Sequence, residues 1–72
     1  MSMSYRKVDS LLSANASGEA REGDSLLIER GRPPLEGELA LVRRGAVELL
    51  HRWCGEDDDE VVGVVIGIKR KL

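Results

Sequence analysis

Seventy-two residues with one cysteine, one histidine and a net charge of −2 make one small domain and narrow the ways of stabilising it. Cys54 alone cannot form an internal disulfide, and Cys54 with His51 falls short of the about four ligands of a structural zinc site. Acids and bases are intermixed, without the basic stripe of a nucleic-acid binder, and the longest apolar run, from Val61 to Ile68, is far shorter than the ~20 residues that span a bilayer.

These exclusions set the expectations. No cofactor, metal, small molecule, nucleic acid or membrane is expected as a partner. The first residues contain no apolar segment of the secretory kind, and a single cysteine agrees with a reducing compartment, so a cytoplasmic location is expected. With Tyr5, Trp53 and no phenylalanine, the core must be aliphatic. Self-association is the remaining route by which so short a chain gains stability.

Residues 1–22 read as a weakly ordered or short-helical leader to a β-domain at 23–72. Tyr5, Val8, Leu11 and Leu12 share one helical face, and Gly18 is placed to end such a helix. Gly23-Asp24 is turn chemistry, after which Ser25–Arg30 reads as a first strand. The prolines of Gly31-Arg32-Pro33-Pro34 donate no ladder hydrogen bond, so this stretch is a loop.

The stretch from Glu38 to Trp53 fits two readings. As a helix, Leu39, Val42, Ala46, Leu49, Leu50 and Trp53 line one face. As a hairpin, Leu39 and Leu41 alternate with polar or small neighbours, Arg43-Arg44-Gly45 turns, and Val47, Leu49, His51 and Trp53 alternate again. Gly45 costs ~1 kcal/mol inside a helix and suits a hairpin turn. Past the acidic run at Gly55–Glu60, the segment Val61–Arg70 is a strand by its β-branched content. It is apolar on both faces, as a central or covered strand is.

Several side chains invite sharper readings. His51 and Cys54 could form a thiol–imidazole pair, but on a strand their spacing points them to opposite faces. Ser10, Ser13 or Ser17 with Lys7, Lys69 or Lys71 would form a dyad only if a lysine were buried. The Glu56–Glu60 carboxylates are contiguous, whereas calcium loops space their oxygens around a glycine. Gly63 and Gly67 suit close backbone approach.

Taken together, Gly23-Asp24-x-Leu-Leu-Ile-Glu-Arg, the proline loop, Gly37-Glu38-Leu-Ala-Leu-Val-Arg, Gly45-x-Val-Glu-Leu-Leu-His-Arg and the closing Val-Val-Gly-Val-Val-Ile-Gly-Ile-Lys-Arg resemble the C-terminal domain of LexA, UmuD and phage repressors, which is similar to the signal peptidase core. The resemblance covers residues 23 to 70, less one large deletion, and favours the hairpin reading. It implies a serine–lysine dyad, in which a deprotonated lysine activates a serine nucleophile. The serine position, about ten residues before Asp24, falls on Ala14 with Asn15 beside it; Ser13 is one residue away and not in a Ser-Met pair. The lysine position falls on Leu50 or His51. The resemblance therefore implies the scaffold without its catalytic residues.

The expectation is a mainly β protein, a small twisted sheet or partial barrel of the LexA and signal-peptidase type. Its strands are expected at Ser25–Arg30, Glu38–Arg43, Ala46–Trp53 and Val61–Arg70. Its core should hold Leu27, Leu39, Leu41, Val47, Leu49, Val62, Val64 and Ile66. Its expected role is that of a non-catalytic interaction module, with a peptidase remnant or peptide clamp as the alternative. The expected interface is the C-terminal strand, through Val62, Val64, Val65, Ile66 and Ile68, pairing with a second copy or a partner peptide.

Overall fold

The computed structural model describes residues 2–55 and 60–70, so the acidic residues 56–59 and Lys71 lie outside the described residues. Among the described residues the chain forms β1 (Ser2–Lys7), α1 (Ser10–Ala14), β2 (Ser25–Arg30), β3 (Leu39–Arg44), β4 (Val47–Arg52) and β5 (Glu60–Lys69). Every strand pairing is antiparallel, and the sheet order is β1-β2-β5-β3-β4. The protein is mainly β, with one short helix among the described residues.

The ambiguous stretch is a hairpin. Arg44 pairs with Val47 across a turn at Gly45 and Ala46. Gly45 has φ 63°, and Ala46 is not in the left-handed region. That combination marks a II′ turn, whose twist matches the strands it joins. The glycine that weakens a helix here removes the strain from the turn.

The N-terminal residues are not a leader apart from the domain. β1 pairs with β2 along its whole length, from Ser2 opposite Arg30 to Lys7 opposite Ser25. The expected short helix forms as α1, with Asp9 as its cap: the Leu12 N–H donates to Asp9 Oδ1 at 2.8 Å. The expected helical face splits, because Tyr5 belongs to a strand. Val8 and Leu12 are buried, while Tyr5 and Leu11 are exposed. The segment is tied down where it meets β2: the Val8 N–H donates to the Asp24 carbonyl and the Gly23 N–H to the Val8 carbonyl, both at 2.8 Å.

One face of the sheet holds the main cluster of Leu26, Ile28, Leu39, Leu41 and Leu50, covered by Val8, Leu12, Ala16 and Ala20 from the N-terminal segment. Leu39, Leu41 and Val64 are buried as expected. Val62 is half-buried and packs on the cluster. The remaining expectations are corrected. Leu27 and Leu49 are half-buried, and Val47 and Ile66 are exposed, whereas Leu26, Ile28 and Leu50 fill the core. A one-residue change of phase exchanges the two faces of a strand, and runs such as Leu26-Leu27-Ile28 and Leu49-Leu50 do not fix that phase by alternation. In β5 the cause is different. The register slips by one residue at Ile66 against β2 and again at Val62 against β3, so two bulges break its alternation.

Gly63 marks the tightest packing. A Cβ there would collide with Ile28 Cγ2 and come within 3.0 Å of the Glu29 carbonyl oxygen. The sheet also curls. Five flat strands would hold the two edges about 19 Å apart, beyond the reach of an arginine and a glutamate. Arg6 of β1 nevertheless forms an ion pair with Glu48 of β4. The radius of gyration, 11.2 Å, matches the about 11 Å of a compact domain this size.

Candidate functional site

The C-terminal strand, the expected pairing edge, is not one of the two outer strands of the sheet. β5 lies between β2 and β3, pairing with β2 over residues 64–69 and with β3 over residues 60–64. Val64 is buried, and Val62 and Val65 pack on the core. Ile66 and Ile68 are the two of the five expected interface residues that reach the surface. A position near the end of the chain does not make a strand peripheral, because sheet order is set by which partners bury it.

Ala14, the position that the family resemblance assigns to the serine, is exposed, and its neighbour Asn15 makes a backbone contact with Leu50. The Leu50 N–H donates to the Asn15 carbonyl at 3.0 Å, so the end of α1 rests on the middle of β4. The side chain at this junction is Leu50, 1 % exposed and packed in the core. A hydrocarbon cannot accept a proton from a hydroxyl, so this contact has no general base of its own. His51, the alternative lysine position, lies on the opposite face of the strand and stacks on Trp53 with ring centroids 6.4 Å apart. Ser10 and Ser17 are exposed and Ser13 is half-buried, while Lys7 and Lys69 are exposed. Cys54 is an exposed thiol just past β4.

A second feature, which the sequence reading passed over, is a clasp on the proline loop. Arg32 holds Glu38 in a two-pronged ion pair, with both N–H···O distances at 2.8 Å, and also donates to Glu29. The Leu35 N–H donates to Glu38 Oε1 at 2.7 Å. Hydrogen bonding from Arg32, then from the Leu35 N–H, lowers the Glu38 pKa to about 2. Hydrogen bonding to Glu38, then to Glu29, holds the Arg32 guanidinium above its ordinary range. Glu38 continues into the strand junction: its carbonyl accepts the Trp53 N–H at 2.8 Å, and the Trp53 carbonyl accepts the Gly37 N–H at 2.9 Å. The clasp thus shapes an open groove of about 450 Å³ between the Gly31–Pro34 loop, Trp53 and Val61–Gly63. Its charged groups satisfy one another, which makes it a structural device.

The sheet has two outer strands, β1 and β4. The β4 edge is met by Asn15 and by the Arg6 ion pair. Among the described residues, β1 pairs with β2 and with no strand on its other side. Met3 and Tyr5 stand on the face away from the main cluster, opposite Glu29 and Leu27, and are 58 % and 72 % exposed. Sequence reasoning missed this edge because these residues alternate only with serine and arginine.

No protein-family model, no curated protein and no solved structure matches this chain. Among the described residues no cluster of three His, Cys, Asp or Glu side chains is placed to hold a metal ion, and no helix is long and apolar enough to cross a membrane.

Proposed function

We propose that this chain is a non-catalytic β-domain of the LexA type that acts by associating with itself or with another protein, in the reducing interior of a cell. The observation that carries the reading is the junction of Asn15 with Leu50. Counting along the sequence assigns the family's serine to the neighbourhood of Ala14 and its lysine to Leu50 or His51. Those assignments are far apart in the chain, and the backbone contact between Asn15, next to Ala14, and Leu50 lies near both. What stands there is a buried leucine, so the junction serves as packing between helix and sheet. Without a reactive centre, such a domain works through its surface, as a regulatory assembly unit does.

Two measurements test this together. A fluorophosphonate probe should leave Ser10, Ser13 and Ser17 unlabelled, and labelling of any of them would return the chain to the peptidases. Sedimentation over micromolar to millimolar concentration should show a rising average mass. A constant monomer mass would remove self-association and leave the module in need of a foreign partner.

A further inference from the structure

From the open edge, we infer that two copies of this chain join through β1, antiparallel and centred on Ser4, into one continuous sheet. The inference rests on the interaction-module reading and names its surface and its partner. β1 is the outer strand whose far side meets no described strand. It has no proline and no bulge, and its positive charge lies at Lys7 and at Arg6, the latter engaged with Glu48 of β4.

The occupant follows from the strand's own symmetry. A two-fold axis through a sheet pairs a strand with itself in antiparallel sense. Directly opposed residues must lie on the same face, so the axis passes through a residue. With the axis at Ser4, Met3 faces Tyr5 of the partner copy, and the partner's Met3 faces Tyr5. Two thioether–aromatic contacts then cover the most exposed apolar side chains of the strand. Ser2 falls opposite Arg6, so no two like charges are opposed. With the axis at Tyr5, Met3 would instead face Lys7, and its apolar surface would meet a charge. A parallel arrangement, which the two-fold does not allow, would set Arg6 against Arg6 and Lys7 against Lys7. A strand whose apolar residues sit symmetrically about its centre is complementary to its own copy.

The test uses the whole chain with Cys54→Ser. In this register the Ser4 Cα atoms of the two copies lie about 5 Å apart, within disulfide reach. Ser4→Cys should therefore oxidise to a covalent dimer, while Ser2→Cys stays monomeric on denaturing gels. Met3→Lys should keep the wild-type far-UV spectrum, match its melting temperature at dilution where no dimer forms, and lose the concentration-dependent rise in mass. Cross-linking of Tyr5→Cys in place of Ser4→Cys overturns the register. If wild type dimerises while Ser4→Cys fails to cross-link and Met3→Lys changes nothing, the β1 interface is overturned and the module reading survives on another surface. If wild type is monomeric at every concentration, both self-pairing and self-association fail together.

Discussion

β4 and β1 both end the sheet, yet the chain treats them differently. Along β4, α1 leans on the strand: the Leu50 N–H finds a carbonyl on Asn15, Leu50 itself fills the core, and Glu48 takes the Arg6 guanidinium. Along β1 the far side meets no described strand, and Met3 and Tyr5 point into solvent. The difference shows how a short domain uses its few spare residues. The nine-residue stretch between Val8 and Ala16 closes one edge and caps the core, and nothing comparable among the described residues closes the other.

The comparison breaks hardest at Leu50. Leu50→Ala leaves a cavity under α1 and should destabilise the protein by about 3 kcal/mol, read as a lower urea midpoint. A change of a few tenths would mean that α1 is not packed on β4. A milder break is Asp9→Ala, which removes the helix cap at a cost of about 1 kcal/mol. It should also speed hydrogen exchange at the Leu50 amide, whose acceptor lies at the end of the helix. Unchanged exchange at that amide would separate the cap from the edge.

Acid sharpens the comparison on the β4 side alone. The folded-state pKa of Glu38, about 2, is below its ordinary value. Its stabilising effect is therefore complete above about pH 5 and disappears as pH falls through 4 toward 2. Trp53, hydrogen-bonded through its backbone to Glu38, reports this change by fluorescence. In Arg32→Gln the transition should move up toward the ordinary carboxylate range, about pH 4. A transition at the same pH in both proteins would show that the clasp does not govern it. The smallest effects belong to β1. Met3→Thr and Tyr5→Thr should each alter stability by less than about 0.5 kcal/mol, measured at dilution where no dimer forms. A larger loss would mean that these side chains already have a partner within the monomer.

The fold class was legible where side chains and turns agreed. The β-branched run of β5 and the prolines after β2 each allow one local structure, while Gly45 suits a hairpin turn in a stretch whose pattern also fits a helix. The phase of β2 and β4 was not legible, because Leu26-Leu27-Ile28 and Leu49-Leu50 offer an apolar residue to either face. The choice of Leu50 is made by α1, thirty-odd residues away in the chain, and alternation carries no record of it. β1 was hidden for the opposite reason: Ser2–Lys7 has no buried face to advertise, and the pairing with β2 makes it a strand. The expected interface on β5 rested on its being an outer strand, and the sheet order instead places it between β2 and β3, each pairing with about half of it. Counting from Asp24 leads to Ala14, beside the Asn15 carbonyl, but the contact of that carbonyl with Leu50 shows only in space. The clasp could be found only in space, since no spacing rule joins Glu29, Arg32 and Glu38 around a loop.

The central position of β5 bears on the solubility of the chain. Its tract from Val61 to Ile68 is uncharged, free of proline and rich in β-branched residues, the composition from which fibrils grow. β3 pairs with its first half and β2 with its second, and two bulges bend it away from the flat repeat that stacked fibril layers need. Most of this aggregation-prone window is thereby tied into the fold, with Ile66 and Ile68 at its surface, and resistance to fibril growth should track how rarely the molecule opens.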